Sequence, residues 1–216
     1  MEGKLGSWHY KARYRYDHRI TPGQRIMTDI LYLHGFNSSP LSLKARETAE
    51  WLAANAPDIR LHCPALPVHP AAALRDLQQQ LATLPDDTLL VGSSLGGFYA
   101  CWLAETCRRH AVLINPAVEA PALLRGLPSR QHQPYSGEDY TLDASDFAAL
   151  DAHQVLRPDP ARYWTILGSA DEVLDWRVAA RRFAGARLTV FNGDDHRLAR
   201  WPECLPQLAA LARQSH

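Results

Sequence analysis

The sequence predicts an α/β protein: about six short, mostly parallel strands with helices on both faces and a cap insertion near residues 117–160. Three observations carry this. Apolar runs and helical stretches alternate from Met27 onward. The runs at Ile30–Leu33, Leu89–Val91 and Ala111–Ile114 are apolar throughout rather than alternating, as expected of strands covered on both faces. A G-x-S-x-G pentapeptide, Gly92-Ser93-Ser94-Leu95-Gly96, stands between one such run and a helical stretch.

In chain order, Ile30-Leu31-Tyr32-Leu33 reads as a buried strand. Ser39-Pro40 reads as an N-cap with Pro at the first helical position, opening a helix that runs to about Asn55 and is stopped by Pro57. Ile59 to His62 is a short second strand, and Pro70 to Leu84 a second helix. Leu89-Leu90-Val91 is the third strand, followed by a helix from Gly97 to Arg109. Ala111 to Ile114 is the fourth, ending at Asn115-Pro116. The stretch from Ala117 to Pro160 holds Pro121, Pro128, Pro134, Pro158 and Pro160 with scattered apolar residues, which suits an insertion over the strand ends. Tyr163 to Leu167 and Arg187 to Phe191 are the fifth and sixth strands, and a last helix covers roughly Glu203 to Arg213. Such a sheet binds ligands at the carboxyl ends of its strands.

Composition narrows the function. The chain has 216 residues, 46% of them hydrophobic, enough for one domain over residues 27–216 with a substantial core. Lys plus Arg equal Asp plus Glu at 23 each, so no overall charge points to nucleic acid or acidic lipid. Charge is uneven, however. Residues 1–26 carry six basic side chains against Glu2 and Asp17. A nucleic-acid or membrane arm is one reading of that segment; a poorly ordered upstream extension is the preferred one, because Met27 directly precedes the first clear strand. Cys63, Cys101, Cys107 and Cys204 form no C-x-x-C pair and no zinc spacing, as expected of reduced thiols in a cytoplasmic protein. No run is long enough for a membrane span, and oligomeric state is not legible.

The pentapeptide has the sequence form of a nucleophile elbow. Small residues let the chain turn sharply, lifting the Ser94 hydroxyl to the N-terminus of the next helix, where free N–H groups favour developing negative charge. A serine hydroxyl needs a base and a group to orient that base. Asp171 follows the fifth strand and His196 the sixth, on the same sheet edge as Ser94 and in the order Ser, Asp, His. Asp175, four residues after Asp171, competes for the acid role but is expected to be a helix N-cap; Glu172 is expected to be a solvated loop residue. His34 is the competing base. Asp194 and Asp195 beside His196 are poor metal ligands because consecutive residues rarely face one ion. No metal or cofactor is required, and Gly96-Gly97 lacks the Lys of a phosphate loop. A tetrahedral intermediate needs two N–H donors. Leu95, after the nucleophile, supplies one, and Phe36, in the His34-Gly35-Phe36 strand end, the other.

The blocks Leu31 to Pro40, Gly92 to Gly97, Asn115-Pro116, Asp171 to Asp175 and Gly193 to His196 together resemble the YqiA-type bacterial esterases, small members of the α/β-hydrolase fold. The resemblance spans Thr28 to the C-terminus. It implies a Ser94–Asp171–His196 triad acting on small-molecule carboxylic esters, acyl-thioesters such as acyl-CoA among them. That family's start resembles Met27 here. Ser169-Ala170 depart from the expected pattern, which has a shorter link between Gly168 and the acid. An acyltransferase with the same triad, or a non-catalytic binding module on this scaffold, are the alternatives. Leu123, Leu124, Tyr135, Tyr140 and Phe147 in the insertion could line an acyl site or form its own small core, and Arg125 and Arg130 are a faint sign of an anionic substrate.

Overall fold

A computed structural model of the chain describes residues 27–214; the expectation for residues 1–26 lies outside them. The first half runs β1 (Thr28–Leu33), α1 (Leu43–Asn55), β2 (Ile59–His62), α2 (Pro70–Leu81), β3 (Leu89–Ser93), α3 (Leu95–Cys107) and β4 (Ala111–Ile114). An inserted segment follows: α4 (Ala120–Arg125), β5 (Arg130–Gln133), β6 (Glu138–Thr141) and α5 (Ala144–Ala152). The chain then returns through β7 (Tyr163–Gly168), α6 (Trp176–Arg182), β8 (Arg187–Phe191) and α7 (Leu205–Gln214).

The main sheet has six strands in the order β2-β1-β3-β4-β7-β8, and every neighbouring pair is parallel. Because side chains alternate across a strand, each apolar run serves two cores. Leu31, Leu33, Leu90 and Leu113 meet α2 and α3 on one face. Ile30, Tyr32, Leu89, Val91, Val112 and Ile114 meet α1 and α7 on the other. Removing a buried Leu side chain from such a core typically costs about 2–5 kcal/mol. Trp201, fully buried, donates from Nε1 to Thr48 Oγ1 at 2.9 Å and so joins the α7 entry to α1.

Helix boundaries differ from expectation where local side chains intervene. Ser39 does not cap α1. Its Oγ accepts the Leu41 N–H at 3.0 Å and its carbonyl accepts the Ser42 N–H at 3.0 Å, closing a turn that delays the helix to Leu43. The α3 helix starts at Leu95 and ends at Cys107, where Arg108 turns left-handed with φ 55°. The second helix stops at Leu81, and the last one is preceded by a 3₁₀ turn over Trp201–Cys204.

The insertion holds an antiparallel hairpin, β5-β6, as well as two helices. Asp143 and Asp146 form a reciprocal capping box on α5. The Asp146 carboxylate, 1% exposed, also accepts from Ala71 N (3.2 Å) and bonds His69 Nδ1 (2.8 Å), so the insertion is docked on the start of α2.

Candidate active site

The turn from β3 into α3 brings Ser94 to the carboxyl edge near the sheet centre. Ser94 has φ 55° and ψ −120°, a left-handed backbone that non-glycine residues adopt at a cost of about 1–3 kcal/mol. Close packing makes the turn possible: a Cβ on Gly96 would lie 2.0 Å from the Leu33 carbonyl oxygen, so only glycine lets α3 begin against β1. Bonds from Ser94 N to Ile114 O and from Ala117 N to Ser94 O, both 3.0 Å, tie the turn to β4 and the residues after it.

Asp171 and His196 meet at this edge. Asp171 Oδ2 bonds His196 Nδ1 at 2.8 Å, while Oδ1 accepts the N–H groups of Val173 and Leu174, each at 2.8 Å. Burial pushes the Asp171 carboxyl up, but His196 and the two backbone donors outweigh it, leaving the group below the usual carboxylate range. The departure Ser169-Ala170 is absorbed by the neighbouring loop. Ser169 N donates to Phe191 O (3.0 Å), Ala170 N to Asp194 O (2.9 Å), and Ser169 Oγ accepts from Gly193 N (2.9 Å).

Ser94 and His196 line one cavity of about 230 Å³, together with Gly35 and Phe36. Among the described residues no hydrogen bond joins Ser94 Oγ to the His196 ring; such bonds are often long in unliganded sites. A Cβ on Gly35 would lie 3.2 Å from Ser94 Cβ, so the segment leading into Phe36 passes close to Ser94. Leu95 opens α3, and a first-turn N–H has no acceptor within its helix. The hairpin braces this segment: Tyr140 Oη donates to Asn37 Oδ1 (2.6 Å) and Gln133 Nε2 to Ser38 O (2.9 Å).

His34 is engaged elsewhere. Its Nε2 accepts the Leu66 N–H (3.1 Å), which leaves Nδ1–H to donate to Gly35 O (3.1 Å). Burial lowers its pKa, against the opposing Gly35 bond. Asp175 Oδ1 accepts the Arg177 N–H at 3.0 Å and caps α6, as expected. Glu172 is not merely solvated: its Oε2 accepts the His196 N–H at 3.0 Å. Asp194 and Asp195 accept the N–H groups of Arg200 and Arg197, local turn bonds.

Sequence reasoning missed two further contributors. Lys44 Nζ donates to the carbonyl oxygens of Arg197 (2.7 Å) and His196 (3.4 Å), and burial lowers its pKa against nearby acids. Lys44 and Arg197 are the cations at the cavity, and both come from the body, whereas Arg125 and Arg130 of the insertion pair with Asp151 and Asp139. Asn115, read from the sequence as a strand end and as part of the family resemblance, bonds both the Gly168 and His196 loops. Nothing in the local sequence of Lys44 or Asn115 signals these long-range contacts.

Tyr140 and Leu124 are core residues, Leu123 and Phe147 pack against that core, and Tyr135 alone of the insertion's proposed acyl-site residues lines a second, apolar groove. This groove, about 530 Å³, shares His34 and Ser38 with the cavity lined by Ser94 and His196. Among the described residues one group of side chains is close enough to share a metal ion: His69, Asp143 and Asp146. These are the residues that cap α5 and dock it on α2. No helix among the described residues is long and apolar enough to cross a membrane.

Solved structures share this architecture. A candidate hydrolase from Agrobacterium vitis S4 has 19% identity and a TM-score of 0.67, over 91% of this chain and 90% of its own. Mouse alpha/beta hydrolase domain-containing protein 10 has 16% identity and 0.63, over 87% and 90%. Est1E of Butyrivibrio proteoclasticus, bound to ferulic acid, has 15% identity and 0.61, over 89% of each chain. At these identities the likeness establishes the α/β-hydrolase fold. The sequence profile of one family spans nearly all the described residues, 29–213, and the chain belongs to that family, the uncharacterised protein family UPF0227, or YqiA family.

Proposed function

We propose that this protein is a serine hydrolase of carboxylic esters, acyl-thioesters included, with Ser94 as nucleophile, His196 as base and Asp171 as the residue that orients it. The observation that carries the reading is the 2.8 Å Asp171–His196 bond on a ring that shares a cavity with Ser94. Asp171 accepts the Nδ1 proton, which leaves Nε2 unprotonated and able to take a proton from Ser94 Oγ. As that proton moves, Oγ bonds the ester carbonyl carbon and the carbonyl oxygen becomes an oxyanion. The N–H groups of Leu95 and Phe36 are the donors suited to hold it, and losing one such donor typically costs about 10²–10³ in rate. The imidazolium then protonates the leaving alcohol or thiol as its bond to carbon breaks. Water repeats the sequence on the acyl-enzyme, releasing the acid and restoring Ser94.

The adjoining groove, walled by Leu41, Leu66, Pro67, Val68 and Tyr135, supports an apolar arm on the substrate. The ferulic acid bound to Est1E and the name of the monoacylglycerol lipase from Paleococcus ferrophilus, 15% identical, agree with ester chemistry on this fold. Turnover of short-chain p-nitrophenyl esters tests the reading: wild type should release nitrophenolate catalytically and His196→Ala should not. Equal rates for the two proteins would overturn it.

A further inference from the structure

We propose that Asn115 is a positioning residue that locks the loop carrying Asp171 to the loop carrying His196; the proposal rests on the triad reading above. Asn115 directly follows β4, is 2% exposed and has φ 40°, a left-handed conformation that asparagine tolerates better than most residues. Its backbone N–H donates to Ile166 O at 2.9 Å, prolonging the ladder to β7. The carboxamide then reaches in two directions. Oδ1 accepts the Gly168 N–H at 2.8 Å, at the root of the Asp171 loop. Nδ2 donates to the carbonyl oxygens of Asp195 and His196, each at 3.2 Å, on the loop beyond β8.

These three bonds use the acceptor and both hydrogens of one short planar group. No other side chain of this size offers that set: aspartate would present a second oxygen to two carbonyls, and leucine would leave all three backbone groups unpaired. The loops have no slack where Asn115 grips them. A Cβ on Gly168 would lie 2.5 Å from Asp194 O and 2.7 Å from Asp195 O, so displacement of one loop is felt by the other. The His196 peptide is held on its other sides by Glu172 Oε2 at its N–H and Lys44 Nζ at its carbonyl. Asn115 is therefore the side chain that bonds both roots of the Asp171–His196 contact while touching neither ring nor carboxylate.

Asn115→Gly isolates the role, because glycine adopts the left-handed backbone freely and removes only the side-chain bonds. The probe is a small fluorophosphonate, and the readout is its second-order rate at Ser94 against pH, measured below the melting temperature. The expected result is a plateau lowered by about 10- to 100-fold, the effect of misplacing a reacting group by an ångström or less. Turnover of a p-nitrophenyl ester should show the loss in kcat with KM unchanged, because Asn115 lines neither the Ser94 cavity nor the adjoining groove. A folded variant with the wild-type labelling plateau and kcat would overturn the proposal. If Asn115→Gly does not fold, Asn115→Asp keeps the acceptor for Gly168 and the volume but loses both donors; it should label as slowly, and wild-type rates would overturn the proposal equally. Absence of labelling in wild type would remove the triad reading beneath it, a failure distinct from that of the clasp.

Discussion

Asp171 and His196, 25 residues apart in sequence, meet through a 2.8 Å bond between Oδ2 and Nδ1. The other Asp171 oxygen is held by two backbone N–H groups, so the carboxylate has one free direction and the imidazole occupies it. The reading of Ser94 as nucleophile depends on this pair.

Asp171→Asn reverses the donor and acceptor at Nδ1 and favours the unproductive tautomer. Its kcat on a p-nitrophenyl ester should fall by up to about 10⁴-fold. Asp175→Asn should retain activity and stability, since asparagine caps a helix as well as aspartate. Parallel steady-state assays check both, and the reverse pattern would move the acid to Asp175.

Glu172 acts on the peptide of His196 rather than its ring. Glu172→Gln keeps an acceptor for that N–H and should remain close to wild type. Glu172→Ala should lose about 0.5–1.5 kcal/mol of support, or roughly a two- to tenfold drop in kcat/KM if all of it is expressed in the transition state. Equal activity of all three proteins would assign Glu172 to the solvated surface.

His34 is held neutral by its Leu66 acceptor bond and its burial. Its folded pKa lies below the ordinary value of about 6.5. Between those two values the unfolded chain binds the extra proton, so stability falls as pH drops below about 6.5 and levels off below the folded value. The Asp171 carboxyl is shifted in the same direction, but its contribution is lost only as pH falls through and below the ordinary carboxylate range. Urea midpoints from pH 7.5 to 5 should therefore decline more steeply for wild type than for His34→Gln.

Gly96→Ala places a methyl group 2.0 Å from the Leu33 carbonyl oxygen, a backbone atom that cannot swing aside. The substitution should cost about 3 kcal/mol or more. A thermal melt reads this directly, and an unchanged midpoint would mean that the elbow packs differently against β1.

Much of this was legible because local chemistry and long-range placement coincide here. Three uninterrupted apolar runs, at Leu31, Leu90 and Leu113, mark strands buried on both faces, and the Gly92–Gly96 elbow lies at the end of one of them. The Asp175 cap was readable because a cap is made within two residues. Long-range contacts were not. Asn115 bonds residues 53, 80 and 81 positions away, and Lys44 reaches across more than 150, with no local pattern to announce either. Ser39 misled because a serine before proline suits both a cap and a tight turn; its Oγ takes the Leu41 N–H, and α1 starts later. The insertion was anticipated as a unit but its hairpin was not, since β5 and β6 carry mostly polar, exposed residues such as Arg130, His132, Glu138 and Asp139.

The most direct test of the account is intact-mass analysis after treatment with a fluorophosphonate, on wild type and Ser94→Ala. A single phosphonyl adduct on wild type, absent from a folded Ser94→Ala, is the predicted result. An unmodified, folded wild type, or an adduct that persists in Ser94→Ala, would contradict the claim that Ser94 is an activated nucleophile.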